Sequence, residues 1–85
     1  MKSYHYYPVA IIYEVGKEPW YWSPTDSVSS IDEARKAIKT LFENNPDWKP
    51  VMTYIQKYSG NARWDIEKRY YVNALGLKKH ASKLR

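Results

Sequence analysis

The sequence predicts a small α+β fold, an antiparallel four-stranded sheet in the order β-β-α-β-β with one helix packed on one face. Two stretches rich in β-branched and aromatic residues precede a single amphipathic stretch, and two more follow it. The chain has 85 residues, a length that suits a single domain. We assign this domain to residues 1–75 and a basic C-terminal tail, or a short helix, to residues 76–85.

The first predicted strand covers residues 4–15, "YHYYPVAIIYEV". β-branched and aromatic residues fit a pleated, half-buried surface better than a helix. The odd-numbered positions form the more continuous apolar set, so we expect them to face the core and the even-numbered ones to face away. Pro8 cannot donate to a sheet ladder, which predicts an edge position or a strand start near it.

A turn at "GKEP", in which Gly16 can adopt positive φ, leads to the second predicted strand, "WYWS". We expect this short strand to form a hairpin with the first. Alternation then sends Trp20 and Trp22 to the core and Tyr21 to the opposite face.

The helix prediction rests on "SSIDEARKAIKTLFENNP", which carries signals at both ends. Ser30 and Glu33 have the spacing of a capping box. Asn44, Asn45 and Pro46 form a stop signal, because asparagine tolerates the left-handed exit and proline cannot continue the helix. One apolar stripe recurs at helical spacing: Ile31, Ala34, Ile38, Leu41 and Phe42.

The third predicted strand, "KPVMTYIQKYSG", alternates Val51, Thr53 and Ile55 with a second set, Met52, Tyr54, Gln56 and Tyr58. In "RWDIEKRYYV", Trp64 and Ile66 alternate with polar residues, which favours a fourth strand. A helix over residues 62–75 is the alternative, since Ile66, Tyr70 and Ala74 lie four apart.

Net charge is unevenly distributed along the chain. The formal charge is +5, but residues 1–75 hold ten Lys/Arg and nine Asp/Glu, whereas residues 77–85 hold four basic residues and no acid. The absence of cysteine and of an apolar membrane segment or signal-peptide core leads us to expect a soluble, cytoplasmic protein.

A single helix covers one side of a four-stranded sheet, so the other side is expected to be left open. The residues predicted there are Tyr4, Tyr6, Ile12, Tyr21, Met52, Tyr54 and Tyr58. Tyrosine is enriched at protein interfaces because it offers a large rigid area and a polar tip. We predict a protein-binding site with four anchors: Tyr6, Tyr21, Tyr54 and Tyr58. The plainer interpretation is that the tyrosine rings only pack over neighbouring side chains of the sheet, with their hydroxyls in water. A second copy of the protein or its C-terminal segment could also cover these rings.

Nucleic-acid binding is the alternative function. It would use the basic tail, through Lys78, Lys79, Lys83 and Arg85, with tyrosines stacking on bases. Within the body of the domain this signal is weak, because acidic residues share the strands with Lys57, Arg63, Lys68 and Arg69. No motif of an RNA-binding sheet or of a helix-turn-helix is present.

The sequence carries no catalytic or cofactor signature, so we predict neither an enzyme nor a cofactor or metal site. His5 and His80 lie far apart in the sequence without a metal-ligand spacing. Asp47 with "EKR" at residues 67–69 only partly matches the acidic pattern of metal-dependent nucleases. In size and strand pattern the chain resembles many small accessory proteins of phages and mobile elements. This resemblance implies an adaptor or inhibitor of a larger protein.

Overall fold

A computed structural model of the chain describes residues 4–71. Its elements are β1 (His5–Tyr13), β2 (Trp20–Trp22), α1 (Ile31–Asn44), β3 (Lys49–Ser59) and β4 (Ala62–Tyr70). The strands form one antiparallel sheet in the order β2-β1-β3-β4. The predicted α+β fold is therefore confirmed, while the tail predicted over residues 76–85 lies outside the described residues.

Side-chain hydrogen bonds mark both ends of α1, but the predicted left-handed exit is wrong, because Asn45 has a φ of −133°. The Ser30 hydroxyl accepts from the Glu33 backbone N–H at 3.1 Å. The Glu33 carboxylate accepts from the backbone N–H of Ser29 at 3.2 Å, one residue earlier than in the usual capping box. At the other end, the Asn45 side-chain amide donates to the Leu41 carbonyl at 2.9 Å, so the C-cap side chain binds back to the last turn of the helix.

The helix lies across β1 and β3, the two inner strands of the sheet. Its buried Ala34 packs against Tyr6 of β1 and Ile55 of β3, and Ile31 and Ile38 pack around this centre. Ile55 is 1% exposed and lies opposite Pro8 of β1 and Ile66 of β4. The core between helix and sheet is therefore built from the middle of the sheet.

The predicted assignment of faces in β1 is wrong. Tyr6 packs under the helix with Ala34, and strand alternation places the other even-numbered residues of β1 on the same side. Val9 and Ile11, predicted to face the core, point to the side without the helix, where Val9 lies opposite Tyr54. Because β1 is an inner strand that is buried on both faces, its apolar pattern does not distinguish one face from the other.

Pro8 lies in an inner strand, at a local gap in the pairing. On the β2 side, Tyr6 exchanges both backbone hydrogen bonds with Val28, and pairing with β2 starts at Ala10. Backbone groups of alternate residues in an antiparallel strand point to the same neighbour, so Pro8 also faces this side, between those two contacts. Its carbonyl accepts from the Ser23 hydroxyl at 3.0 Å. The strand thus tolerates the missing N–H without being an edge.

Residues 62–70 form a strand, as the alternation favoured, and the helical alternative is wrong for them. The pairing with β3 is irregular between Thr53 and Ile55, and Glu67 adopts a positive φ of 53°. An extra residue at this point makes a β-bulge in β4. Glu67 is consequently turned to the helix side, where its carboxylate accepts from the Arg35 guanidinium at 2.8 and 2.6 Å.

The Arg35–Glu67 pair predicts an acid-sensitive contribution to stability. Its hydrogen bonds to Arg35 lower the pKa of the Glu67 carboxyl below the ordinary value of 4.5. A folded-state pKa below the unfolded one stabilises the fold above pH 4.5, and this contribution is lost as the pH falls through the folded value. We expect the Glu67→Gln variant to lose less stability on acidification than the wild type.

Urea unfolding at neutral and at acid pH measures this difference. Glu43→Gln, at an exposed position of α1, is the matched control and should keep the wild-type acid sensitivity. Equal acid sensitivity of Glu67→Gln and wild type would contradict the role of the ion pair.

The described part of the chain contains no helix with the length and apolar character needed to cross a lipid bilayer.

Candidate functional site: the tyrosine face

The side of the sheet opposite α1 carries a group of tyrosines from three strands. Tyr21 of β2 lies opposite Ile11, Tyr54 of β3 lies opposite Val9, and Tyr58 lies opposite His5. Tyr7 of β1 shares this side and contacts Tyr58 edge to face, with ring centroids 5.5 Å apart and planes at 82°. We call these four residues, Tyr7, Tyr21, Tyr54 and Tyr58, the tyrosine face.

The rings of the tyrosine face pack over the apolar side chains of β1 on this side of the sheet. Val9 is 0% exposed and Ile11 is 8% exposed, although no helix of the described residues lies on this side. Their burial is therefore due to neighbouring side chains. Tyr7, Tyr54 and Tyr58 are half-buried, whereas Tyr21 at the β2 edge is 55% exposed. The tyrosines thus have both a structural use and an accessible surface.

Polar groups connect the rings. The Tyr58 hydroxyl donates to the Gln56 side-chain oxygen at 3.3 Å. Burial, followed by the neighbouring Tyr21 and Asp65, raises the pKa of Tyr54. The phenol of Tyr54 therefore stays neutral at physiological pH and can donate a hydrogen bond to a ligand.

Three charged residues on this side lie along its β4 edge. Arg63 is opposite Tyr58 and lies 3.9 Å from Asp65. The Tyr58 hydroxyl, and then Asp65, raise the pKa of the Arg63 guanidinium. Strand alternation places Lys68 on the same side beyond the bulge. The tyrosine face is therefore an apolar and hydroxyl-bearing surface with a mixed-charge border.

Three of the four predicted anchors are brought together by the fold, namely Tyr21, Tyr54 and Tyr58. Tyr6 is not among them, because it is 9% exposed and packs under α1 against Ala34 and Ile55. Tyr7 takes its place on the open side and was missed. With both sets of β1 positions apolar, no signal in the sequence separated Tyr6 from Tyr7. Tyr4, also predicted on the open side, packs on the helix side as well.

The tryptophans of β2 lie on the side opposite Tyr21. Trp20 donates from its indole N–H to the Glu14 carboxylate at 2.8 Å and meets the Trp48 ring at a centroid distance of 5.0 Å. Trp22 lines a groove beside Pro8 and Leu41. Both tryptophans are half-buried, so they lie at the β2 edge of the core and not at its centre.

Of the basic residues considered for nucleic-acid binding within the domain, Arg63 and Lys68 border the tyrosine face, whereas Lys57 and Arg69 lie on the helix side. The Lys57 ammonium lies 4.2 Å from the Tyr4 ring centroid and 5.8 Å from that of Trp64, on the helix side. Lys78, Lys79, Lys83 and Arg85 lie outside the described residues. Over residues 4–71 no group of three or more histidine and acidic side chains could hold a metal ion.

By its fold the chain is a small α+β protein whose sheet has one helix-covered side and one tyrosine-bearing side. It matches no protein-family model, and it is not significantly similar to any curated protein or any solved structure with which it was compared.

Proposed function

We propose that the protein is a non-catalytic binding protein whose tyrosine face contacts a protein partner, as an adaptor or inhibitor does. One observation carries the proposal: tyrosines from three strands meet around the buried Val9 on the side of the sheet opposite α1. Interfaces are enriched in such residues, because tyrosine adds a large contact area and a hydrogen-bonding tip at low entropic cost.

The charge pattern favours a protein over nucleic acid as the partner of this face. Stacking platforms for single strands need basic groups beside the rings to meet phosphates. Here the border holds two basic residues, Arg63 and Lys68, and one acidic residue, Asp65, which pairs with Arg63. Lys57 lies with Tyr4 and Trp64 on the other side. A mixed-charge border around apolar rings fits the polar rim and apolar centre of a protein interface.

Capture of a partner by the tagged full-length protein, with and without nuclease, tests the proposal. We expect the partner still to be captured after nuclease treatment. It should bind the Tyr21→Ala and Tyr58→Ala variants at least about tenfold more weakly, as is typical when a hot-spot residue is replaced. Tyr4→Ala is the matched control, because it removes the same side chain from the helix side, and should bind normally.

Salt dependence separates the two functions in the same samples. Phosphate contacts through the four basic residues of the tail would give a log-log slope of about −3 to −4. A contact centred on tyrosines should respond far less to salt. A partner that disappears with nuclease, shows the steep slope and binds both tyrosine variants normally would overturn the proposal in favour of tail-led nucleic-acid binding.

A further inference from the structure

The outer edge of β4 is a second surface that could bind another strand. β4 is the last strand of the order β2-β1-β3-β4, and within residues 4–71 only β3 pairs with it. An edge strand offers backbone donors and acceptors to another strand. Most of its side chains are exposed, including Trp64 at 46%.

The bulge restricts how a second copy could pair with it. Ile66 and Glu67 are consecutive residues on the same side, since Ile66 packs in the core cluster and Glu67 binds Arg35. Before the bulge, the even-numbered residues of β4 therefore lie on the helix side. After it, the odd-numbered residues lie there. In an antiparallel pair of identical strands, opposite side chains must share a side. The only centred register that satisfies this requirement throughout places Ile66 opposite Glu67 of the second copy.

In that register the side chains are complementary. Asp65 lies opposite Lys68 of the second copy, and both are on the side of the tyrosine face. Trp64 lies opposite Arg69, and both are on the helix side, where Trp64 neighbours Lys57 and Arg69 lines a groove with Ile55. The two-fold symmetry repeats each contact. Opposite charges and an arginine over an indole both stabilise cross-strand pairs.

The two registers shifted by one residue lack this match, and one of them places Glu67 opposite itself. Placing Ile66 opposite itself puts Asp65 against Glu67 and Arg63 against Arg69, both like-charge contacts. Protective edges repel further strands with charges of one sign, whereas the charges of β4 are self-complementary in one register.

We propose that the protein forms a homodimer in which the β4 edges of two copies pair antiparallel in this register. The two-fold axis is perpendicular to the sheet, so both tyrosine faces lie on the same side of one continuous sheet. A dimeric or repetitive partner can then engage both copies at once, which raises the apparent affinity through avidity. This dimer does not depend on the proposed function, because it is formed by the backbone edge of β4. The two surfaces share only the charged border at Asp65 and Lys68.

Charge reversal and charge exchange on the full-length chain test the register. Sedimentation velocity over a wide range of concentration should show a dimer for the wild type. Asp65→Lys and Lys68→Asp each create two like-charge contacts and should weaken dimerisation by about tenfold or more. The double variant Asp65→Lys/Lys68→Asp restores opposite charges across the axis and should recover dimerisation.

Further variants keep the test independent of folding and of the tyrosine face. Circular dichroism checks that each variant is folded, and Trp64→Ala should weaken the dimer without any charge change. Tyr21→Ala should leave dimerisation unchanged. A wild type that stays monomeric, a double variant no better than either single one, or loss of the dimer in Tyr21→Ala would each overturn the proposal.

Discussion

Replacing Tyr6 by alanine is expected to destabilise the protein by about 3–5 kcal/mol, as aromatic-to-alanine changes in a core do. Tyr6 is 9% exposed and packs against Ala34 and Ile55 beneath the helix. The cavity left by this change would remove packing contacts between α1 and the centre of the sheet. Single domains are stable by only about 5–15 kcal/mol, so this change should remove a large part of the free energy of unfolding.

Urea unfolding followed by circular dichroism measures this effect. Tyr21→Ala is the matched control, because it removes the same side chain at a position that is 55% exposed, and should cost less than about 1 kcal/mol. If the two variants lost equal stability, the helix would not cover the side of β1 that carries Tyr6.

The second large effect is expected at Ile55, where alanine should cost about 2–5 kcal/mol. Ile55 is 1% exposed and touches both the helix layer and the neighbouring strands through Ala34, Pro8 and Ile66. The smaller change Ile55→Val removes a single methyl group and should cost about 0.5–1.5 kcal/mol.

Thermal unfolding of both variants tests this grading. A cost that increases with the volume removed indicates a tightly packed centre. Nearly wild-type stability of Ile55→Ala would contradict the placement of the core between α1 and the two inner strands.

The helix and β3 could be predicted from sequence because their patterns are redundant. Ser30, Glu33 and Asn45 mark the ends of α1 through local hydrogen bonds that depend on few distant residues. In β3, polar residues interrupt the apolar ones, so alternation assigned Tyr54 and Tyr58 correctly to the open side. These signals were sufficient for α1 and for the two tyrosines. They did not predict the irregular pairing of β3 with β1 that skips Val51, which packs with Ile11 and not with Ile55.

The orientation of β1 and the bulge in β4 could not be predicted, for tertiary reasons. β1 is buried on both faces, so its pattern carries no information about which face the helix covers, and Tyr6 was exchanged with Tyr7 as a result. Glu67 leaves the alternation at the bulge, where it meets Arg35, a residue distant in sequence. Each of these features depends on a contact between elements rather than on residues within one.

The most direct test of the open tyrosine face is solvent paramagnetic relaxation, measured by NMR on the full-length protein for each tyrosine ring. We predict strong attenuation by a soluble paramagnetic agent for Tyr21, weaker attenuation for Tyr54 and Tyr58, and the least for Tyr6. Rings of Tyr21, Tyr54 and Tyr58 as protected as that of Tyr6 would mean that the molecule covers this face itself. No partner could then bind there.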